Sequence, residues 1–280
     1  MRVFITGATG LIGAHTALAL LHAGHQVRLL VRDPQLAQAY FLKHGFEITD
    51  VIQGDMQDAA LMEQHMPGCD AVFHAAAMVS LNPKLAQQIY QSNVASIDAV
   101  IGTAHKLGIR NIVYVSSLGA FFIPNSSHIN ESSPLGCSKE AYTQSKIDCE
   151  CYVRSLQNRG IPIQITYPSG TFGPHDPKLN ESNHSLCSAL LKLIPLTSTG
   201  LQFIDARDLA LIHVHLLENP PTNPHTARYM VAGHYYSWAE LKSLFDRITG
   251  RHILGIPLPG WLMRAFGVVG DVIKKIHPMD

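Results

Sequence analysis

Arg2-Val3-Phe4-Ile5-Thr6-Gly7-Ala8-Thr9-Gly10-Leu11-Ile12-Gly13 opens the chain. Arg2 to Thr6 reads as a strand, and Leu11 to about Ala23 carries the apolar spacing of a helix. Between them the glycines recur as Gly-x-x-Gly-x-x-Gly. A strand, a tight glycine turn and a helix N-terminus together make an anion site. The glycines let the backbone come close to a pyrophosphate, and the N–H groups of the first helical turn point at it. Gly7, Gly10 and Gly13 fit those roles, with Thr9, Leu11 and Ile12 as the residues between them. The spacing departs from the Gly-x-Gly-x-x-Gly fingerprint, so the motif draws its weight from following a strand directly. A plain strand-to-helix turn is the alternative.

Outward from this turn the chain alternates short apolar runs with helical patterns. Gln26 to Val31, the segment around Ile48 to Ile52, Ala71 to His74, Asn111 to Ser116 and Ile161 to Tyr167 read as further strands. Helices are expected after Pro34, from Lys84 to Leu107 and over residues 139 to 158. That rhythm predicts an α/β fold: a Rossmann-type, doubly wound parallel sheet over residues 1–170. After Pro168 the pattern loosens into Gly, Pro, Asn and His. Residues 171–280 are expected to be mainly a smaller substrate lobe, with segments free to interleave with the first domain. There, Asp205 to Glu218 and Ser237 to Thr249 read as helices, the second with Ser237 as cap and Glu240 three residues on, and Arg228 to Ala232 as a short strand. Residues 257 to 263 break the pattern.

Composition narrows the function. Of 280 residues, 46% are hydrophobic and 15% charged, with 21 Lys+Arg against 21 Asp+Glu, so no basic field exists to hold nucleic acid. The 16 His are scattered, with no metal-ligand spacing, and no metal is expected. Five cysteines (Cys69, Cys137, Cys149, Cys151, Cys187) without a Cys-x-x-Cys pair fit reduced thiols in a cytoplasmic protein. Met1 leads almost directly into a strand, so no signal peptide is expected before the fold.

The end of the second strand reads the cofactor, because an acid there binds the ribose 2′-hydroxyl whereas a cation accommodates a 2′-phosphate. The run is Val27-Arg28-Leu29-Leu30-Val31-Arg32-Asp33. Val31 stands where the acid is sought and Arg32 follows, which favours NADP(H). Asp33 is the counterargument for NAD(H), since it either binds the ribose or caps the next helix. Asp55 and Met56, at the end of the third strand, are candidates to frame the adenine, although Asp55 also suits a turn after Gly54. Tyr142 and Lys146 stand four residues apart in Tyr142-Thr143-Gln144-Ser145-Lys146. On a helix that spacing sets both on one face, where the ammonium is expected to lower the phenol's pKa and equip it for proton transfer near neutral pH.

With Gly7 to Gly13, His74-Ala75-Ala76-Ala77, Asn93, Ser116-Ser117 and Tyr142 to Lys146 in this order, the chain resembles the extended short-chain dehydrogenase/reductase family (the NAD-dependent epimerase/dehydratase superfamily). The likeness covers nearly the whole chain. Val31-Arg32-Asp33-Pro34 and Asp70 to Ser80 are most similar to its dihydroflavonol-reductase-like and 3β-hydroxysteroid-dehydrogenase-like branches. Gly173-Pro174 and Phe203-Ile204-Asp205-Ala206-Arg207-Asp208 resemble family landmarks too.

The resemblance implies hydride transfer between nicotinamide and an oxygen-bearing carbon, with Tyr142 exchanging the proton. Lys146 would hold the nicotinamide ribose and depress the pKa of Tyr142. Ser117 would bind the substrate oxygen, with Ser116 as the alternative one residue back. Asn93 would complete a proton relay through water or, equally well, tie helix to strand as a buried amide. Ala75, Ala76, Ala77, Pro168 and Thr171 fall at cofactor-contact positions. The family commonly has Arg-Pro where this chain has Tyr167-Pro168, which puts the contacts from Pro168 to Thr171 in doubt. It also implies a homodimer through the helices around 84–107 and 139–158, where Cys149, Tyr152 and Val153 either join that face or pack on the sheet.

For the substrate, the stretch from Pro168 to Phe203 contains no arginine and only Lys178 and Lys192 as cations. A nucleotide-sugar diphosphate usually calls for arginine, so an NADPH-dependent reductase of an apolar ketone or aldehyde, or oxidant of the alcohol, is favoured. An epimerase or dehydratase with tightly bound NAD stays open through Arg207, Arg228 or Arg264. A cofactor-sensing regulator is the minor alternative, since such a protein has no need of Tyr142 and Lys146. Trp261, Leu262, Ala265, Phe266, Val269, Ile273 and Ile276 fall at helical spacing. They are expected to close the substrate lobe in preference to lying on a membrane.

Overall fold

A computed structural model describes residues 1–80, 82–123, 126, 128–191 and 193–262. In the first part of the chain, strands and helices alternate as β1 (Arg2–Thr6), α1 (Leu11–His22), β2 (Gln26–Val31), α2 (Pro34–Lys43), β3 (Val51–Gln53), α3 (Ala59–His65), β4 (Ala71–His74), α4 (Ala86–Ile97), α5 (Thr103–Lys106), β5 (Asn111–Val115), α6 (Ala141–Asn158) and β6 (Ile163–Pro168). Then come β7 (Gly170–Phe172), α7 (Glu181–Leu191), β8 (Ile194–Leu196), β9 (Gly200–Asp205), α8 (Ala206–Glu218), β10 (Arg228–Val231), β11 (His234–Ser237), α9 (Trp238–Thr249) and β12 (Gly255–Pro257).

Seven strands form one parallel sheet in the order β10-β6-β5-β4-β1-β2-β3. The order reverses between β1 and β4, and in such sheets the crevice at the carboxyl ends beside that reversal is where ligands bind. β1 shows why the sheet is buried on both faces. Phe4 joins the cluster under α3, α4, α5 and α6, while Val3 and Ile5 join the one under α1, α2 and α8. α1 is buried on nearly every side because α8 lies across it. His213 of α8 ties the layers, with Nδ1 3.0 Å from Thr16 Oγ1 on α1 and Nε2 3.1 Å from Thr166 Oγ1 on β6.

Several boundaries differ from the sequence reading. β3 is three residues long and starts at Val51. The helix expected from 84 to 107 contains a five-residue π turn, Asp98–Gly102, where the Tyr152 hydroxyl reaches the Asp98 carboxylate from α6. α3, with Asp58 as its cap, was not expected because its run is too short to show a helical period. The short strands β7, β9 and β11 form a second sheet, and β8 and β12 a third. β9 runs to six residues, but the other four strands, at three or four residues each, carry too little alternation to be read. The apolar stripe expected beyond Leu262 lies outside the described residues. Cys149 and Val153 sit in the core under the sheet, so of the three residues considered for a dimer face these two point inward.

Candidate active site

At the carboxyl ends of β1, β2, β3 and β4 lies a cavity of about 270 Å³. One wall is the glycine turn. Gly7 has φ +85°, and a Cβ there would stand 2.7 Å from the Ala76 nitrogen. A Cβ on Gly13 would stand 2.2 Å from the Gly7 carbonyl oxygen. The turn after β1, the loop after β4 and the first turn of α1 are therefore in backbone contact, which no larger residue permits. α1 starts at Gly10 with no side-chain cap and no acid in its first turn, so its positive end is open to an anion.

Of the residues expected at a cofactor, Gly7, Thr9, Gly10, Arg32, Asp55 and Met56 line this cavity, and Ala75, Ala76 and Ala77 line it from the loop after β4. Gly13 stands behind the turn. Leu11 and Ile12 turn toward apolar neighbours in the layers around α1. Pro168 and Thr171 are buried at the end of β6 and in β7, away from it. Asp33 caps α2, accepting from the Leu36 N–H at 3.0 Å, while its neighbour Arg32 faces the cavity. Asp55 makes an Asx turn, accepting from the backbone N–H and side-chain amide of Gln57, both at 3.0 Å. Sequence reasoning missed Gln88 and Ser92, which reach the cavity from one face of α4 at i, i+4 spacing, and Lys178, whose ammonium is 3.4 Å from Thr9 Oγ1.

Tyr142, Lys146, Ser117 and Asn93 converge beside β5. Glu140 caps α6, accepting from the N–H groups of Tyr142 and Thr143 at 2.9 and 2.7 Å, and this sets Tyr142 in the first turn. The Ser117 hydroxyl accepts from Gly119 N–H at 3.1 Å and lies near enough to the Tyr142 phenol to draw its pKa down. The expected fall in the phenol's pKa is not seen. Burial pushes it up to about 12, against a smaller opposing pull from Ser117, and Lys146 is not among the causes. The reason is where the ammonium goes. Lys146 Nζ donates to the Val115 carbonyl at 3.1 Å and lies 5.4 Å from the centre of the Tyr114 ring, and burial lowers its own pKa.

Asn93 is a strut. Its Oδ1 accepts from Met78 N–H at 2.7 Å, and its Nδ2 donates to the Met78 carbonyl and to Ser145 Oγ, both at 3.0 Å. Both amide protons are thus engaged in joining the loop after β4 to the residue beside Lys146. Ser116 is turned away from Tyr142, donating to buried Glu150 at 2.8 Å, so Ser117 alone of the pair faces the phenol. Glu150 also accepts from the Tyr167 hydroxyl at 2.5 Å and from Arg154 Nε at 2.7 Å. Where the resembled family has arginine on the strand, this chain has a tyrosine there and an arginine on α6, sharing one carboxylate. Arg154 also lies 5.2 Å from the centre of the Phe121 ring.

A glycine cradle at the sheet's switch point, and at the end of β5 a Ser-Tyr-Lys cluster that does not itself line that cavity, mark an NAD(P)-dependent enzyme of the Rossmann type. The model of the NAD dependent epimerase/dehydratase family matches residues 3–232, and the chain belongs to that family. It is 32% identical over 281 residues to a Synechocystis sp. protein named provisionally as a dihydroflavonol 4-reductase, covering 99% of this chain and 80% of that one. Cinnamoyl-CoA reductase 1 of Oryza sativa subsp. japonica is 28% identical, over 89% of this chain and 76% of its own. Among solved structures, UDP-glucose 4-epimerase from Bifidobacterium longum in complex with NAD+ and UDP superposes with a TM-score of 0.76 at 22% identity, over 92% of this chain and 86% of that one. Among the described residues, no helix is long and apolar enough to cross a membrane, and no cluster of three or more His, Cys, Asp or Glu stands ready for a metal.

Proposed function

We propose that the protein is an NADPH-dependent oxidoreductase that reduces a ketone or aldehyde on an apolar small molecule or, with NADP+, oxidises the corresponding alcohol. The observation that carries this reading is the division of labour at the end of β2: Arg32 lines the cavity while the Asp33 carboxylate is turned to its helix. A cation at that position accommodates a 2′-phosphate. When bound, the nicotinamide supplies the hydride. Tyr142 supplies the proton, Ser117 holds the substrate oxygen beside it, and Lys146 holds the ribose. A phenol with its pKa pushed to about 12 carries its proton throughout the neutral range, as reduction requires of a donor.

Among the described residues the charge available to a substrate diphosphate is small, which weighs against the epimerase reading, and Arg264 lies outside the described residues. Arg207 is clamped by Asp205 at 2.9 and 2.7 Å, and Arg228 donates to the His225 carbonyl at 2.9 Å. Phe172, Phe203 and Tyr236 pack their rings together in the second sheet, next to Leu186, Leu190 and Trp238, which supports an apolar substrate. The names of the two relatives, both reductases, point the same way.

The test is fluorescence titration of NADPH and NADH against wild type and Arg32→Ala, followed by a panel of apolar carbonyl compounds with the preferred cofactor and a Tyr142→Phe control. NADPH selectivity lost in Arg32→Ala, together with carbonyl turnover lost in Tyr142→Phe, supports the reductase. Preference for NAD(H) with turnover of a nucleotide sugar overturns it in favour of the epimerase. Cofactor binding with no turnover of either class would point to a sensor.

A further inference from the structure

We propose that Lys178 is a phosphate-binding residue of the dinucleotide site, brought over the glycine turn by a strained loop from the second half of the chain. The inference rests on the cofactor reading above and adds a contact from outside the first βαβ units. Lys178 follows β7, 169 positions after the residue it meets, and its Nζ lies 3.4 Å from Thr9 Oγ1 in the middle of the turn. Its ammonium and the Arg32 guanidinium are the cationic side chains lining the cavity, and Asp55 is the acidic one.

The loop is built to hold that lysine there. Among the described residues, the non-glycine positions with positive φ are His175 at 55° and Leu179 at 49°, one on each side of Lys178. Backbone held in this region persists only where its surroundings fix it, and it gathers at ligand clamps. Here the surroundings are explicit. The Pro174 carbonyl meets His15 Nε2 of α1 at 2.9 Å, and the His175 carbonyl accepts from the Tyr40 hydroxyl of α2 at 3.0 Å. The first anchor lies on the helix that starts at the glycine turn and the second on the helix that follows β2. Asp176, the nearest acid in sequence, is engaged by N–H donors: Lys178 N at 3.2 Å, Asn180 N at 2.7 Å and Asn183 Nδ2 at 2.9 Å. Among the described residues no carboxylate pairs with the Lys178 ammonium. An exposed, unpaired ammonium fixed next to the uncapped start of α1 has the chemistry to receive a phosphate.

A dinucleotide presents two such groups, the pyrophosphate and the 2′-phosphate, and the experiment separates them. NADPH and NADH are titrated by fluorescence against wild type, Lys178→Gln and Lys178→Arg at low and at high salt, with thermal melts to confirm folding. Loss of roughly ten- to a hundredfold in affinity for both cofactors in Lys178→Gln, partly restored in Lys178→Arg, assigns the pyrophosphate. The same loss confined to NADPH assigns the 2′-phosphate. In either case the salt dependence of wild-type binding should be steeper than that of the glutamine variant. Unchanged affinity for both cofactors in Lys178→Gln overturns the proposal while leaving the cofactor site standing. A wild type that binds neither cofactor overturns the cofactor reading and this proposal with it.

Discussion

Glu150 is the most heavily engaged buried charge among the described residues, and its removal gives a sharp test of how the site is supported. The side chain is fully buried and accepts from Ser116 at 2.8 Å, Tyr167 at 2.5 Å and Arg154 at 2.7 Å. Glu150→Ala would leave the Arg154 guanidinium, itself only 19% exposed, without its carboxylate, and two hydroxyls without their acceptor. Breaking one side of a buried pair costs about 3–5 kcal/mol. Glu150→Gln keeps the shape: its oxygen still accepts from Arg154 and Tyr167, and its amide donates to Ser116. The loss should then fall to about 1–2 kcal/mol, the difference between charged and neutral hydrogen bonds. Urea unfolding at pH 7, followed by far-UV circular dichroism, measures both. Ser116 precedes Ser117, and Lys146 lies one turn before Glu150 on α6, so the folded fraction of the alanine variant should also lose turnover. If Glu150→Ala stays within about 1 kcal/mol of wild type, or if Glu150→Gln costs as much as Glu150→Ala, the network is not what holds this corner together.

Other perturbations follow from the same geometry. Gly13→Ala would put a Cβ 2.2 Å from the Gly7 carbonyl, a backbone atom that cannot swing aside, so α1 must shift. We expect at least a roughly tenfold loss of cofactor affinity in fluorescence titration, with a stability cost of about 1–3 kcal/mol. His74 and His213 have pKa values pushed down to about 3 by burial, from an ordinary 6.5. The unfolded chain binds these protons first, so the stability they contribute is complete above about pH 6.5 and drains away as pH falls toward 3, by roughly 2 kcal/mol each at pH 5. Denaturant midpoints at pH 7 and 5 check this, and His213→Gln should flatten the slope. Asn93→Ala should destabilise by about 1–3 kcal/mol in the same unfolding assay, because it frees the loop after β4 from α6. A large fall in kcat with unchanged stability would instead favour a proton relay.

The sheet was legible because its signals are local. Ala71–His74 and the Leu29–Val31 end of β2 are buried apolar runs, the form a strand takes when both faces are covered, and Gln26–Val31 and Ala71–His74 were both read to the residue. The capping box of Ser237 and Glu240 likewise announces α9 within four residues. The second and third sheets were not legible. Gly170–Phe172 and Ile194–Leu196 owe their strand form to partners far away in sequence, Gly170 to Phe203 and Ile194 to Gly255.

The site divides along the same line. Tyr142 and Lys146 share a helix, so their spacing was readable, but the acceptor of the ammonium, the Val115 carbonyl, lies 31 residues upstream on β5. Only that contact explains why burial, and not the lysine, sets the phenol's pKa. Tyr167 teaches the same lesson. In the sequence it looked like a missing arginine, because the compensating Arg154 comes from a helix 13 residues earlier, donates to the Tyr167 hydroxyl at 3.3 Å and shares Glu150 with it. A substitution in a motif is therefore a statement about one strand position, whereas the charge it appears to delete belongs to a cluster that several elements can supply. The double variant Glu150→Leu/Arg154→Leu separates these. If the cluster serves only to bury charge in pairs, its replacement by apolar side chains of similar size should be far milder than Glu150→Ala. If it orients Ser117 and Lys146, stability should recover in the double variant and turnover should not.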